Sequence, residues 1–134
     1  MKVCRRETFN SAHRLFREEW SDEKNLEVFG KCSYPNFHGH NYALEVWVEG
    51  DIDPETGFVI DLKKLKHIIL ESVIERFDHR NLNLDCPEFE GINPTTENIA
   101  RVVWNILRGQ LDPKFGIEVQ LSETEKNKVF FNGN

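Results

Sequence analysis

FGKCSYPNFHGHNYALEVWVEG, residues 29–50, is the stretch whose pattern decides the fold. Its second half alternates, with His38, His40, Tyr42, Leu44, Val46 and Val48 on one side of an extended chain and Asn41, Ala43, Glu45, Trp47 and Glu49 on the other. A period of two predicts a half-buried strand, and here the apolar side begins with two histidines separated by one glycine. Two imidazoles projecting the same way can hold one ion together, although paired core histidines would fit the same pattern.

Upstream, VCRRETFNSAH at 3–13 alternates likewise and predicts another strand, placing Val3, Arg5, Glu7, Phe9, Ser11 and His13 on one face. If the two strands pair, His13 becomes the natural third ligand beside His38 and His40, and three protein ligands with a fourth position open is the pattern of catalytic zinc. The mixed polar residues 14–37 predict a long loop with room for one helical turn, and loops of that length in compact domains are usually functional. Cys32 lies in this loop at Cys-x5-His-Gly-His. It could be a fourth ligand, a small buried residue, or a base or nucleophile whose pKa a nearby cation would lower.

Downstream, DPETG at 53–57 is a turn sequence, followed by the short run Phe58 to Ile60. From Asp61 the period changes, and Leu62, Leu65, Ile69, Val73 and Phe77 mark the stripe of an amphipathic helix, with His67 on its solvated side. After the polar stretch 78–93, PTTENIARVVWNILRG at 94–109 predicts a second helix opened by Pro and Thr, closed by Gly109, and buried along Ile99, Val102, Val103 and Ile106. IEVQLSET at 117–124 and KVFF at 128–131 predict the last two strands around the turn 125–127. The order is ββααββ, an α+β fold with a four-stranded antiparallel sheet on two helices.

Three further groups are candidates. Asp78-His79 directly follows the first helix, as a histidine favoured by the helix dipole or as a carboxylate-oriented proton carrier. Thr95, Thr96 and Glu97 open the second helix, where capping is the default and ligand binding to free backbone donors the alternative. Glu123 shares strand parity with Ile117, Val119 and Leu121, so it should point inward to an internal partner or a ligand. Cys4 and Cys86 read as ordinary structural thiols.

With 134 residues, 39% hydrophobic and 30% charged, the chain predicts one domain over 1–134, with a core thin enough for oligomerisation to help cover it. A net charge of -6 disfavours nucleic acid or an anionic membrane and favours a small-molecule partner. No stretch has the length of a bilayer span, and MKVCRRE is not followed by a signal-type apolar run, so a cytoplasmic location is expected. Three cysteines without a CxxC pair predict no disulfide framework.

FNSAHRL at 9–15, FGKCSYPNFHGHNY at 29–42, FDHRNLN at 77–83, PTTENIA at 94–100 and the glutamate of LSETEKN at 121–127 together resemble the 6-pyruvoyl-tetrahydropterin synthase family over nearly the whole chain. The resemblance implies zinc held by His13, His38 and His40, Cys32 as general base tuned by Asp78 and His79, and a pterin anchored by Glu123 in a pocket completed by Thr95, Thr96 and Glu97. It implies the tunnelling fold, with trimers stacked into homohexamers and active sites between subunits. The substrate would be 7,8-dihydroneopterin triphosphate, received by a local basic mouth for which Lys31, Arg14 and Arg80 are candidates. Carboxy-forming relatives of the queuosine route share substrate and site. More distant alternatives are a cupin, suggested by His38, His40 and Glu45 but disfavoured by the helices, and a pterin-binding module without turnover.

Overall fold

The computed structural model describes residues 1–134. Strands β1 (Lys2–His13) and β2 (His38–Glu49) pair antiparallel over their full length, from Lys2 opposite Glu49 to His13 opposite His38. The far edge of β2 pairs with β4 (Gly116–Ser122), which pairs with β5 (Lys128–Phe131). The expected strands are all present. A fifth, β3 (Arg80–Asn81), lies parallel to β1 at Ser11 and Ala12 and corrects the count of four. Two residues are too short to show a period, and β3 forms because the His79 and Leu82 amides donate to the Asn10 and Ala12 carbonyls.

The helical layer covers one face of the sheet. Helix α2 (Leu62–Ile69) starts where the Asp61 carboxylate accepts the Lys63 amide, and runs through a π turn (Leu70–Ile74) into the last turn α3 (Glu75–Phe77). Its predicted stripe holds from Leu65 onward: Leu65, Ile69, Val73 and Phe77 are fully buried, whereas Leu62 is exposed. Helix α4 (Thr96–Gln110) adds Ile99, Ala100, Val103 and Leu107. These meet Tyr42, Leu44, Val46 and Val48 of β2 and Val119 and Leu121 of β4 in one cluster. Leu65→Ala should cost about 2–5 kcal/mol through the cavity it leaves, read as a lower urea midpoint; an unchanged midpoint would contradict this packing.

Two boundaries differ from expectation. Gly109 does not close α4, because the Arg108 guanidinium donates to the Leu111, Asp112 and Phe115 carbonyls and ties down the helix end in its place. The segment 14–37 holds helix α1 (Asp22–Phe29), capped by Ser21, and a 3₁₀ turn over Gly30–Ser33. The one buried residue of α1 is Asn25, whose side chain bonds the Arg17 backbone N–H and C=O. A helix held by a buried amide has no apolar stripe, so no period announces it. No helix is long and apolar enough to cross a membrane.

Candidate active site

The β1–β2 register builds the centre. His13 and His38 are direct cross-strand partners, His40 follows two residues along β2, and all three project to the helix-covered face. Their ring centroids lie 4.6 Å apart for His13 and His38, 5.1 Å for His13 and His40, and 5.0 Å for His38 and His40. One nitrogen of each falls within 4.8 Å of the others. His13 is 1% exposed, and its Nδ1 donates to the Pro94 carbonyl at 2.7 Å, which leaves the Nε2 lone pair facing the cluster. Buried and without hydrogen-bond partners are His13 Nε2, both ring nitrogens of His38 and His40 Nε2. Buried polar atoms are rarely left unpaired. Convergent orphaned imidazole nitrogens, one oriented from behind by a carbonyl, match a divalent transition-metal site.

Burial, reinforced by the neighbouring imidazoles, lowers the pKa of both His13 and His38. The unfolded chain therefore binds more protons just below the ordinary histidine value. Stability of the metal-free protein should fall as pH drops from about 6.5 toward the lowered folded values, and bound metal should suppress the loss. Urea midpoints at pH 7 and pH 5 check this, and a His38→Gln variant should show the shallower drop.

Around the imidazoles stand Cys32, Tyr42 and Glu123. The Cys32 carbonyl accepts the Leu15 amide at 2.9 Å, tying the cysteine loop to the end of β1. Burial, and then the Glu123 carboxylate, push the Cys32 thiol up in the chain alone. The downward pull expected of a cation belongs to a metal-loaded centre. Glu123 points inward as its parity requires, with Oε1 3.7 Å from His40 Nε2 and Oε2 4.0 Å from His13 Nε2, and Thr96 Oγ1 donates to Oε2 at 2.8 Å.

Thr95 caps α4 by accepting the Asn98 amide. Thr96, Glu97 and Glu123 line a cleft of about 410 Å³ together with Lys126, Asn127, Lys128 and Val129. The two lysines went unread in the sequence because a polar hairpin turn is ordinary on a surface. Pro94 and Tyr42 were also missed as functional neighbours. Proline at a helix start has a sufficient structural reason, and Tyr42 continues an apolar strand face while its hydroxyl reaches to 3.5 Å from His13 Nδ1.

Asp78 and His79 form a pair, with His79 Nδ1 2.9 Å from Asp78 Oδ2. The Asn10 backbone N–H, and then the His79 imidazole, hold the Asp78 carboxyl below its ordinary range. The pair stands apart from the centre. His79 is 82% exposed, takes a positive φ of 58°, and makes no hydrogen bond or ring contact with Cys32 or the three histidines. Of the expected basic mouth, Arg14 is engaged with the Ser33 carbonyl and the Phe16 ring, while Lys31 and Arg80 are exposed.

The family model described as 6-pyruvoyl tetrahydropterin synthase matches residues 2–134. A 6-pyruvoyl tetrahydrobiopterin synthase of Pongo abelii is 45% identical over 132 residues, covering 98% of this chain and 91% of the relative. One of Drosophila melanogaster is also 45% identical, covering 98% of this chain and 79% of its own. The solved structure of 6-pyruvoyl tetrahydropterin synthase from Caenorhabditis elegans superposes with a TM-score of 0.92 at 38% identity, covering 100% of this chain and 96% of that one.

Proposed function

The chain belongs to the 6-pyruvoyl tetrahydropterin synthase family. From that membership we propose that it is a zinc-dependent 6-pyruvoyl-tetrahydropterin synthase, converting 7,8-dihydroneopterin triphosphate to 6-pyruvoyl-tetrahydropterin with elimination of triphosphate. The observation that carries the reading is the set of orphaned nitrogens of His13, His38 and His40 beside Cys32 and Glu123. A zinc ion held by the three imidazoles supplies Lewis acidity toward the hydroxyls of the substrate side chain.

The other roles fall to side chains. Glu123 accepts the amino and ring N–H donors of the pterin, a complementary pairing for a carboxylate with two oxygens. Thr96 aims that carboxylate, Thr95 secures the first turn of α4, and Glu97 and the two lysines border the cleft. Cys32, as thiolate, takes a carbon-bound proton next to a side-chain hydroxyl. The electron pair released moves into the C=N bond of the dihydropterin ring, so side chain is oxidised as ring is reduced and no external oxidant is needed. Removal of a second proton, from the hydroxyl-bearing carbon next to the terminal one, then expels triphosphate as the terminal C–O bond breaks, and the enol left behind ketonises to complete the side chain. Asp78 and His79 exchange the proton with Cys32.

The Asp78-His79 pair is exposed and makes no bond to the Cys32 of its own chain, so we assign it to a Cys32 of another subunit, with intersubunit sites in a homohexamer. The sheet edges support it too: β1 has no strand partner beyond β2 from Lys2 to Asn10, β5 ends the sheet, and Phe130 on it is 59% exposed. Open edges of this kind call for a partner. Cys32→Ala and His79→Ala subunits, each inactive alone, should recover activity when refolded together, with roughly a quarter of the sites carrying both groups in a random mixture. No recovery would contradict shared sites.

One domain over 1–134 in the cytoplasm accords with this reading. The test is triphosphate release from 7,8-dihydroneopterin triphosphate by zinc-loaded, chelator-stripped and reloaded protein. Release that is lost on stripping and restored by zinc is expected; release independent of metal would overturn the proposal.

A further inference from the structure

The loop between Cys32 and strand β2 takes its last turn at Phe37, with a φ of 66°. We propose that Phe37 is a positioning residue for the reaction: its ring anchors this loop and so fixes where Cys32 stands, and the chain accepts a strained backbone to keep it. The inference rests on the base role given to Cys32 above.

The backbone supplies the first observation. A positive φ crowds the Cβ of an L-residue, and histidine, asparagine and aspartate tolerate it better than a bulky aromatic. Among non-glycine residues only Phe37 and His79 adopt it. Elsewhere the chain meets the same demand with glycine. Gly30, earlier in this loop, has a φ of 57°, and nothing lies within 4 Å of where its Cβ would sit. Glycine would serve the backbone at position 37 without strain. A strained phenylalanine there points to a use for its side chain.

The surroundings show that use. At the Cys32 end the loop is tied by polar contacts: the Cys32 carbonyl accepts the Leu15 amide at 2.9 Å, and the Ser33 carbonyl accepts Arg14 Nε at 2.8 Å. Tyr34, Pro35 and Asn36 then run exposed, and the turn closes where the Phe37 amide donates to the Tyr34 carbonyl at 3.3 Å. Of residues 34–37 only Phe37 is half-buried. Its ring lines a cleft of about 480 Å³ whose other apolar walls are Phe16, Leu84, Phe89 and Ile92. The next residue, His38, is already in register opposite His13. The ring therefore holds the strand end of the loop as Arg14 holds the other end, and Arg14 itself lies over the Phe16 ring at 3.9 Å.

Three variants of the full chain separate ring from backbone. F37A loses the ring and keeps the strain, F37G loses the ring and relieves the strain, and F37Y keeps the ring. Urea midpoints should follow the backbone, with F37G above F37A. Turnover should follow the ring: kcat should fall about 10²-fold in F37G and F37A alike, the cost of a misplacement on the order of 1 Å. Metal content and KM should change little, and F37Y should keep the turnover of the unchanged protein. A merely structural Phe37 would give kcat values that track the midpoints, with F37G close to the unchanged protein, and that result would overturn the inference. An F37G variant less stable than F37A would also overturn it, by removing the strain on which it stands. A readout without turnover is the rate at which iodoacetamide alkylates Cys32 in zinc-loaded protein, followed by peptide mass. It should rise in F37G and F37A and stay unchanged in F37Y. That rise, with no triphosphate release by the unchanged protein, would sink the proposed function and leave the positioning role standing. Zinc-dependent release with kcat and alkylation unchanged across the variants would sink the positioning role alone.

Discussion

His40→Ala is expected to give a folded protein that retains no divalent metal on dialysis and turns substrate over about 10³-fold more slowly, since several kcal/mol of charge stabilisation goes with the ion and each 1.36 kcal/mol is tenfold. His40 lies two residues into β2, at the end of the strand away from the Leu44–Val48 core, so the sheet register survives its loss. Two imidazoles are one short of the three protein ligands a catalytic zinc takes. Metal analysis after dialysis and steady-state triphosphate release are the two readings. Full metal content in this variant would show that the centre is not where the imidazoles converge.

Cys32→Ala should separate chemistry from binding. The Cys32 thiol makes no hydrogen bond in the structure, so its removal breaks no contact that orders the loop; Ser33, its neighbour, keeps its own bond to the Gly30 carbonyl. Turnover should fall by about 10²–10⁴, the worth of a positioned general base, with metal content and pterin affinity close to those of the unchanged protein. A matching fall in pterin affinity would instead make Cys32 a binding residue.

Much of this was legible in the sequence because it depends on parity. The period of two in β1 and β2 puts His13, His38 and His40 on the buried face, and the same parity in β4 turns Glu123 inward. The stripe through Leu65, Ile69, Val73 and Phe77 likewise located the first helix. What depends on backbone carbonyls, polar caps or chain crossings left no such trace. The orienting role of the Pro94 carbonyl arises from a contact between residues 81 positions apart. Helix α1 is organised by Asn25 rather than by an apolar face, and β3 exists only through its amides against β1. Asp78 and His79 could be named from their adjacency, but their exposed placement, bonded to Asn10 of β1, follows from where α3 ends against β1.

The most direct test of the account is mass analysis of the pterin formed when zinc-loaded protein meets 7,8-dihydroneopterin triphosphate under reducing, anaerobic conditions. The predicted product has lost triphosphate and keeps all three side-chain carbons. A 6-carboxy product accompanied by acetaldehyde would contradict it and place the chain with the carboxy-forming relatives, and bound but unaltered pterin triphosphate would reduce the site to a binding module.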